Sequence, residues 1–280
     1  MKNYDKQTIA QIRKPIVQAA IIMLVFYAIE IPMVHFNVFP DVNTLYIADI
    51  IIRVACGTAG LILLNGYSKR GESKCTLKQL FTNKISGKTW LIMIPQIINI
   101  LLPFLNLFIA TVFTTKYIVT LSILIVQQFA TGFYEEGVQR GLMMNGLIKF
   151  NISTVKRRLF TVLVTGLFFG LGHAPNIAFG ENPLIQVPST MCIGMFWAAV
   201  YMLSDNLLLV MLLHAFTDST FRIVNGLFGY AREGFLYQAI ECSRGIIEYV
   251  ILPALAICIC IWFDKLKNNA PELSEFSTEV

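Results

Sequence analysis

Charge is scarce in this 280-residue chain: Asp, Glu, Lys and Arg make up 14% of it, against 56% apolar residues. A chain of this size cannot cover itself with so little polar surface, so lipid is the expected solvent. Also missing are a CxxC pair, an HExxH motif, a fixed-period repeat and any Gly/Ser- or Pro-rich linker. Without a CxxC pair, the scattered cysteines Cys56, Cys75, Cys192, Cys242, Cys258 and Cys260 read as small buried hydrophobes, neither a disulfide framework nor a zinc site. The lack of HExxH removes the commonest zinc-protease arrangement. With no repeat and no linker, residues 1–280 form a single integral membrane domain, ending in a short acidic tail, 268–280, expected to be disordered. A net charge of +5 invites nucleic acid as a partner, but no soluble segment is long enough to fold into a binding domain. Nucleic acid is therefore excluded, and the bilayer itself is the first partner.

What the chain does have is apolar runs of the length that crosses about 30 Å of hydrocarbon at 1.5 Å per residue. They predict an all-α polytopic helix bundle of about eight spans, near 15–34, 44–66, 89–111, 118–148, 158–176, 187–205, 207–227 and 245–263. The opening MKNYDKQTIAQIRKP precedes an apolar run too long for a signal-peptide core and reads as a retained cytoplasmic tail. With eight crossings, sixteen Lys and Arg residues fall on one side of the membrane and only Lys116, Arg222, Arg232 and Arg244 on the other. That bias puts both termini in the cytoplasm. Ser204-Asp205-Asn206 is the exception: it should be a cytoplasmic loop yet has no basic residue, which keeps a seven-span arrangement open.

A charge inside a span needs a partner or a task, because its transfer into hydrocarbon costs several kcal/mol. Glu30 lies near the outer end of its span, where snorkelling accounts for it. Asp49 and Arg53 stand at i,i+4 and read as a mutually neutralising structural pair. Glu248 falls within a turn of its span's start and reads as interfacial. His35, in the first outer loop, has no such context.

Span four is different. It carries Tyr134-Glu135-Glu136-Gly137-Val138-Gln139-Arg140, two adjacent carboxylates followed by an arginine. At 100° per residue Arg140 shares a face with Glu136 while Glu135 points away, so Glu135 needs a partner from another helix or must hold a proton. Span five offers Phe169-Gly170-Leu171-Gly172-His173, and span seven offers His214-Ala215-Phe216-Thr217-Asp218, with the last pair again at i,i+4. One intramembrane histidine is readily structural glue. Two imidazoles and several carboxylates on three helices instead suit a site that binds a metal or activates water.

In these residues the chain resembles the CPBP family, the CAAX proteases and bacteriocin-processing enzymes also called Abi. The family motifs EExxxR, FxxxH and HxxxN/D match Glu135-Glu136…Arg140, Phe169…His173 and His214…Asp218, within residues 118–227. The resemblance implies an intramembrane peptidase with a water-filled chamber open toward the cytoplasm and a peptide or membrane protein as substrate. It also implies Glu135 as general base, His173 assisting it, and His214 and Asp218 facing the oxyanion or completing a metal shell. Asn at the last motif position could donate to an oxyanion, whereas an ionised Asp218 only accepts. Asp218 must therefore ligate a metal, orient His214 or be protonated, and Glu135, His173, His214 and Asp218 stand as a candidate Zn2+ ligand set. Short loops and Ile- and Lys-rich sequence point to a bacterial member. Two other classes compete: a non-catalytic scaffold or bacteriocin-immunity protein, and a proton- or ion-coupled transporter. The transporter would show inverted repeats, and none is visible.

Overall fold

The computed structural model describes residues 6–113, 117–230 and 234–267. The tail 268–280, Lys116 and Arg232 lie outside the described residues. The fold is a polytopic helix bundle, and eight helical stretches are long and apolar enough to cross a membrane: Gln11–His35, Val42–Lys69, Gly87–Ile109, Ile118–Ile148, Val155–Phe179, Pro183–Ser204, Leu207–Val224 and Phe235–Lys267. In lipid every backbone polar group must be satisfied internally, so each apolar run closes on itself as helix. The principal helices are α1 (Lys6–His35), α2 (Val42–Lys69), α3 (Leu77–Thr82), α4 (Gly87–Leu101), α5 (Ile118–Glu136), α6 (Met144–Asn151), α7 (Val155–Gly172), α8 (Pro183–Ser204), α9 (Leu207–Leu227), α10 (Phe235–Ile246) and α11 (Leu252–Lys267).

Polar residues at the helix starts satisfy the free N–H groups there. Asp41 accepts from the backbone of Asn43 and Thr44 at the start of α2, and bonds from Thr44 hold its carboxyl below the usual range. Thr76 and Gln79 form a capping box on α3. Ser86, Thr154 and Asn182 cap α4, α7 and α8. Two spans are not α-helical throughout: π-helical turns Gly137–Met143 and Ile247–Ile251 join α5 to α6 and α10 to α11. The second has an evident cause, since Pro253 just beyond it lacks an N–H and its ring crowds the preceding turn. One departure from the all-α expectation is a small antiparallel pair, β1 (Ala110–Phe113) with β2 (Phe228–Tyr230), tying the loop after the third span to the end of α9.

Loops assigned to one side of the membrane by their basic residues do meet. Asp205 bonds Lys74 at 2.7 Å and also Lys267, and its carbonyl accepts from Asn83. Arg158 bonds Asp264 at 2.8 Å, Ser73 bonds Asn145, and Gly146 packs against Ile12 and Pro15. The loop without a basic residue is thus the acidic anchor for lysines from two others. There the chain breaks cleanly, because Asp205 adopts the left-handed conformation (φ 50°) and ends α8 two residues before α9. The break separates the sixth and seventh candidate spans.

One expectation needs correction. Glu30 does not snorkel: it is 7% exposed and bonds Arg53 at 2.6 Å. Glu248 lies within a helical stretch that starts at Phe235, earlier than the expected residue 245. Its carboxylate accepts from Asn99 at 3.0 Å and Ser189 at 3.2 Å and faces Arg244. Cysteine burial is also less than expected, since only Cys260 is buried and Cys242 is exposed.

Between helices in lipid, close packing replaces the hydrophobic drive, and small residues set it. A Cβ on Gly132 would lie 2.6 Å from the Met211 carbonyl, so only glycine lets α5 approach α9 this closely. Gly170 does the same for α7 against α8, where a Cβ would meet the Val187 carbonyl at 2.7 Å. These two contacts deliver the motif residues to one another. Reporter fusions at Lys78 and after Lys267 are expected to read cytoplasmic and one near Asn182 external; opposite sides for Lys78 and Lys267 would contradict the fold, and an external reading for both would invert the orientation.

Candidate active site

All seven motif residues come together. Arg140 is fully buried, with one guanidinium nitrogen 3.0 Å from Glu136 Oε1 and another donating to the Gly194 carbonyl at 3.0 Å. Its guanidinium lies 4.2 Å from the Phe169 ring centre and 5.8 Å from that of Trp197. Glu136 Oε1 also accepts from His214 Nδ1 at 2.9 Å. The i,i+4 reading of Glu136 with Arg140 therefore holds, even though the helix turns π-helical directly after Glu136.

Glu135 points elsewhere, as its phase requires. Its Oε2 lies 3.7 Å from His173 Nε2 and 4.0 Å from His214 Nε2. His173 sits where α7 ends, one residue before a 3-10 turn, Ala174–Phe179, opened by Pro175. This break lets His173 turn toward the glutamate. Its Nδ1 lies 2.8 Å from the Phe169 carbonyl. A carbonyl only accepts, so Nδ1 carries the proton and Nε2 of the neutral ring presents a lone pair to Glu135. Asp218 is half-buried, with Oδ2 3.4 Å from His214 Nε2. Both ring nitrogens of His214 thus face carboxylate oxygens, and only the imidazolium donates to both. Of the three roles open to Asp218, orienting His214 matches this geometry.

Other functional neighbours escaped the sequence reading. Arg53 pairs with Asp49 at 2.7 Å as expected, but it also reaches Glu30 and, at 3.9 Å, Glu135 Oε1. The arginine of that structural pair is also a counter-charge for Glu135. Trp197 stacks 4.7 Å from the His214 ring, and a signal was available, for tryptophan in a span usually marks an interfacial belt and here lies at the centre of one. Phe169, the aromatic of the second motif, packs on Gly194 and against His173 and His214.

Beside Glu135 and His173 is a narrow pocket lined by Met23, Tyr27, Tyr134, Val138, Gln139 and Gly172. About 10 Å³ of it admits the centre of a water-sized sphere, roughly the room one water molecule needs. The resemblance implies an open chamber; here α1 fills it, with Met23 against Gly172 and the Tyr27 hydroxyl donating to the Gly172 carbonyl. As placed, the proposed zinc ligands do not fit a shell. Among the described residues no group of three or more His, Cys, Asp or Glu side chains is arranged to hold a metal ion. Donors on a tetrahedral zinc lie about 3.4 Å apart at bond lengths of about 2.1 Å. The separations of 3.7 and 4.0 Å about Glu135 Oε2 are wider, and suit an intervening water at about 2.8 Å from each.

A profile of the type II CAAX prenyl endopeptidase Rce1-like family matches residues 117–220, the stretch that holds all seven motif residues. No curated protein and no solved structure matches.

Removing the Glu136 carboxylate strands Arg140 in a dry site. Glu136→Gln is expected to cost about 3–5 kcal/mol of stability. Adding Arg140→Met should recover part of that loss and leave the share owed to His214. Thermal unfolding in detergent of the single and double variants tests this; a Glu136→Gln protein as stable as the parent would refute it.

Proposed function

We propose, from the match of residues 117–220 to the CAAX prenyl endopeptidase profile, that the chain hydrolyses a peptide bond in a membrane-associated peptide or protein with a water activated by Glu135 and His173. One observation carries the reading: an ionisable glutamate and a histidine lone pair converge 3.7 Å apart on a pocket with room for one water. A water that donates one hydrogen to Glu135 Oε2 and the other to His173 Nε2 turns its own lone pairs toward the space where a substrate carbonyl would lie. Glu135 takes a proton as the C–O bond forms. His214, held as a two-way donor between Glu136 and Asp218, supplies positive charge for the tetrahedral oxyanion. Collapse of that intermediate breaks the C–N bond, and Glu135 returns its proton to the leaving amine. Arg53 faces Glu135 from the opposite side and steadies its charge.

No step here runs through a metal, in keeping with the spacing of the donors. The profile's description names CAAX prenyl endopeptidases, so a farnesylated peptide ending in Cys-Val-Ile-Met is the first substrate to try; bacteriocin and pheromone precursors follow if the source is bacterial.

Cleavage by purified protein in detergent is the measurement. Glu135→Gln should remain folded, because it strands no fully buried cation, while its cleavage rate falls about 10²-fold or more. Cleavage by the parent should also survive chelators, with well under one bound metal per chain by elemental analysis. A Glu135→Gln protein as active as the parent would overturn the base assignment. Chelator-sensitive activity restored by zinc would replace the water with a metal-bound one.

A further inference from the structure

Gln139 is a polar residue with no duty in the mechanism above. It is 2% exposed, and its Oε1 has no hydrogen-bond partner among the described residues. An unmet acceptor deep in a membrane protein is costly, whereas an apolar residue of the same size would be free of that cost. It stands at i,i+4 from Glu135, just as Arg140 does from Glu136. Glu135 and Gln139 accordingly face the narrow pocket together, while the other two face the interior. Its amide lies against Gly172, beside His173.

As placed, none of the pocket's own donors bonds it: Tyr27 spends its hydroxyl hydrogen on the Gly172 carbonyl, the Tyr134 hydroxyl makes no bond to Gln139, Glu135 is an acceptor when ionised, and the neutral His173 ring has its lone pair at Nε2. A donor must come with the ligand, and a peptide backbone N–H is the donor that every peptide substrate carries. Gln139 lies about one helical turn from Glu135, on the π-helical turn. For an extended peptide laid along that turn with its leaving-group side toward Gln139, the nearest N–H is the second one beyond the attacked carbonyl.

We propose that Gln139 is a substrate-binding residue whose Oε1 accepts the second backbone N–H on the leaving-group side of the scissile bond. The assignment rests on the peptidase reading and names one of its substrate contacts.

The test pairs an enzyme variant with a substrate variant. The parent and Gln139→Met, an apolar change of similar volume, are assayed on the farnesylated peptide ending in Cys-Val-Ile-Met. Both are then assayed on its analogue in which the Val–Ile amide is replaced by an ester, which removes that N–H and nothing else of note. The parent should cleave the amide peptide with a kcat/KM roughly tenfold above the ester analogue. Gln139→Met should cleave both equally, at the lower value, and its unfolding temperature should not fall. An unchanged amide-to-ester ratio in Gln139→Met overturns the proposal alone, as does a parent indifferent to the ester. A drop in unfolding temperature with the ratio intact makes Gln139 a structural residue. If the parent cleaves neither peptide, the peptidase reading fails on this substrate class and the Gln139 assignment falls with it.

Discussion

Everything at the centre of this protein is arranged about the guanidinium of Arg140. It has no exposed surface, and its neighbours come from three further stretches of chain: the Gly194 carbonyl on α8, the Phe169 ring on α7 and, through Glu136, the His214 ring on α9. Leaving such a cation unmatched in a dry environment is far more costly than any single apolar contact is favourable. The helices must therefore pack where its partners are, and the glycines at 132, 170 and 194 are what allow them to come that close. The aromatic of the second motif is part of the same device, a flat floor under the cation on which both histidines also rest.

The two adjacent glutamates are consequently not equivalent. Glu136 is consumed by structure, sharing one oxygen between Arg140 and His214. Glu135 faces Arg53 at arm's length, and two further carboxylates, Glu30 and Asp49, hold that arginine more tightly than Glu135 does. An arginine already engaged by others can balance a neighbouring charge without clamping it. That leaves Glu135 less tightly held than Glu136.

The spans were legible in the sequence because crossing a bilayer demands only length and apolarity. Legible too was that Glu135 and Glu136 face different partners, which follows from helix phase within one segment. What stayed hidden depends on contacts between helices. Glu30 looked able to reach the surface, since nothing local reveals that Arg53, on another helix, claims it. The π-helical turn after Glu136 has no proline to announce it. Trp197 was visible but unweighted, its place at mid-span being the clue. Asp205 shows the converse: a loop that broke the charge pattern turns out to complete it, as the acid that two basic segments share.

The Glu30–Arg53–Asp49 cluster bears on how the chain enters the membrane as it is synthesised. Glu30, Asp49 and Arg53 lie in the interior of the first two spans and pair with one another across that single helical hairpin. The hairpin can leave the insertion machinery with its arginine already countered, before any motif helix has been made. When α5 arrives, Glu135 meets a positive charge fixed in place, and Tyr27 waits on α1 for the carbonyl of Gly172, 145 residues downstream. The oldest part of the nascent protein is thus a template against which its later, reactive part is assembled.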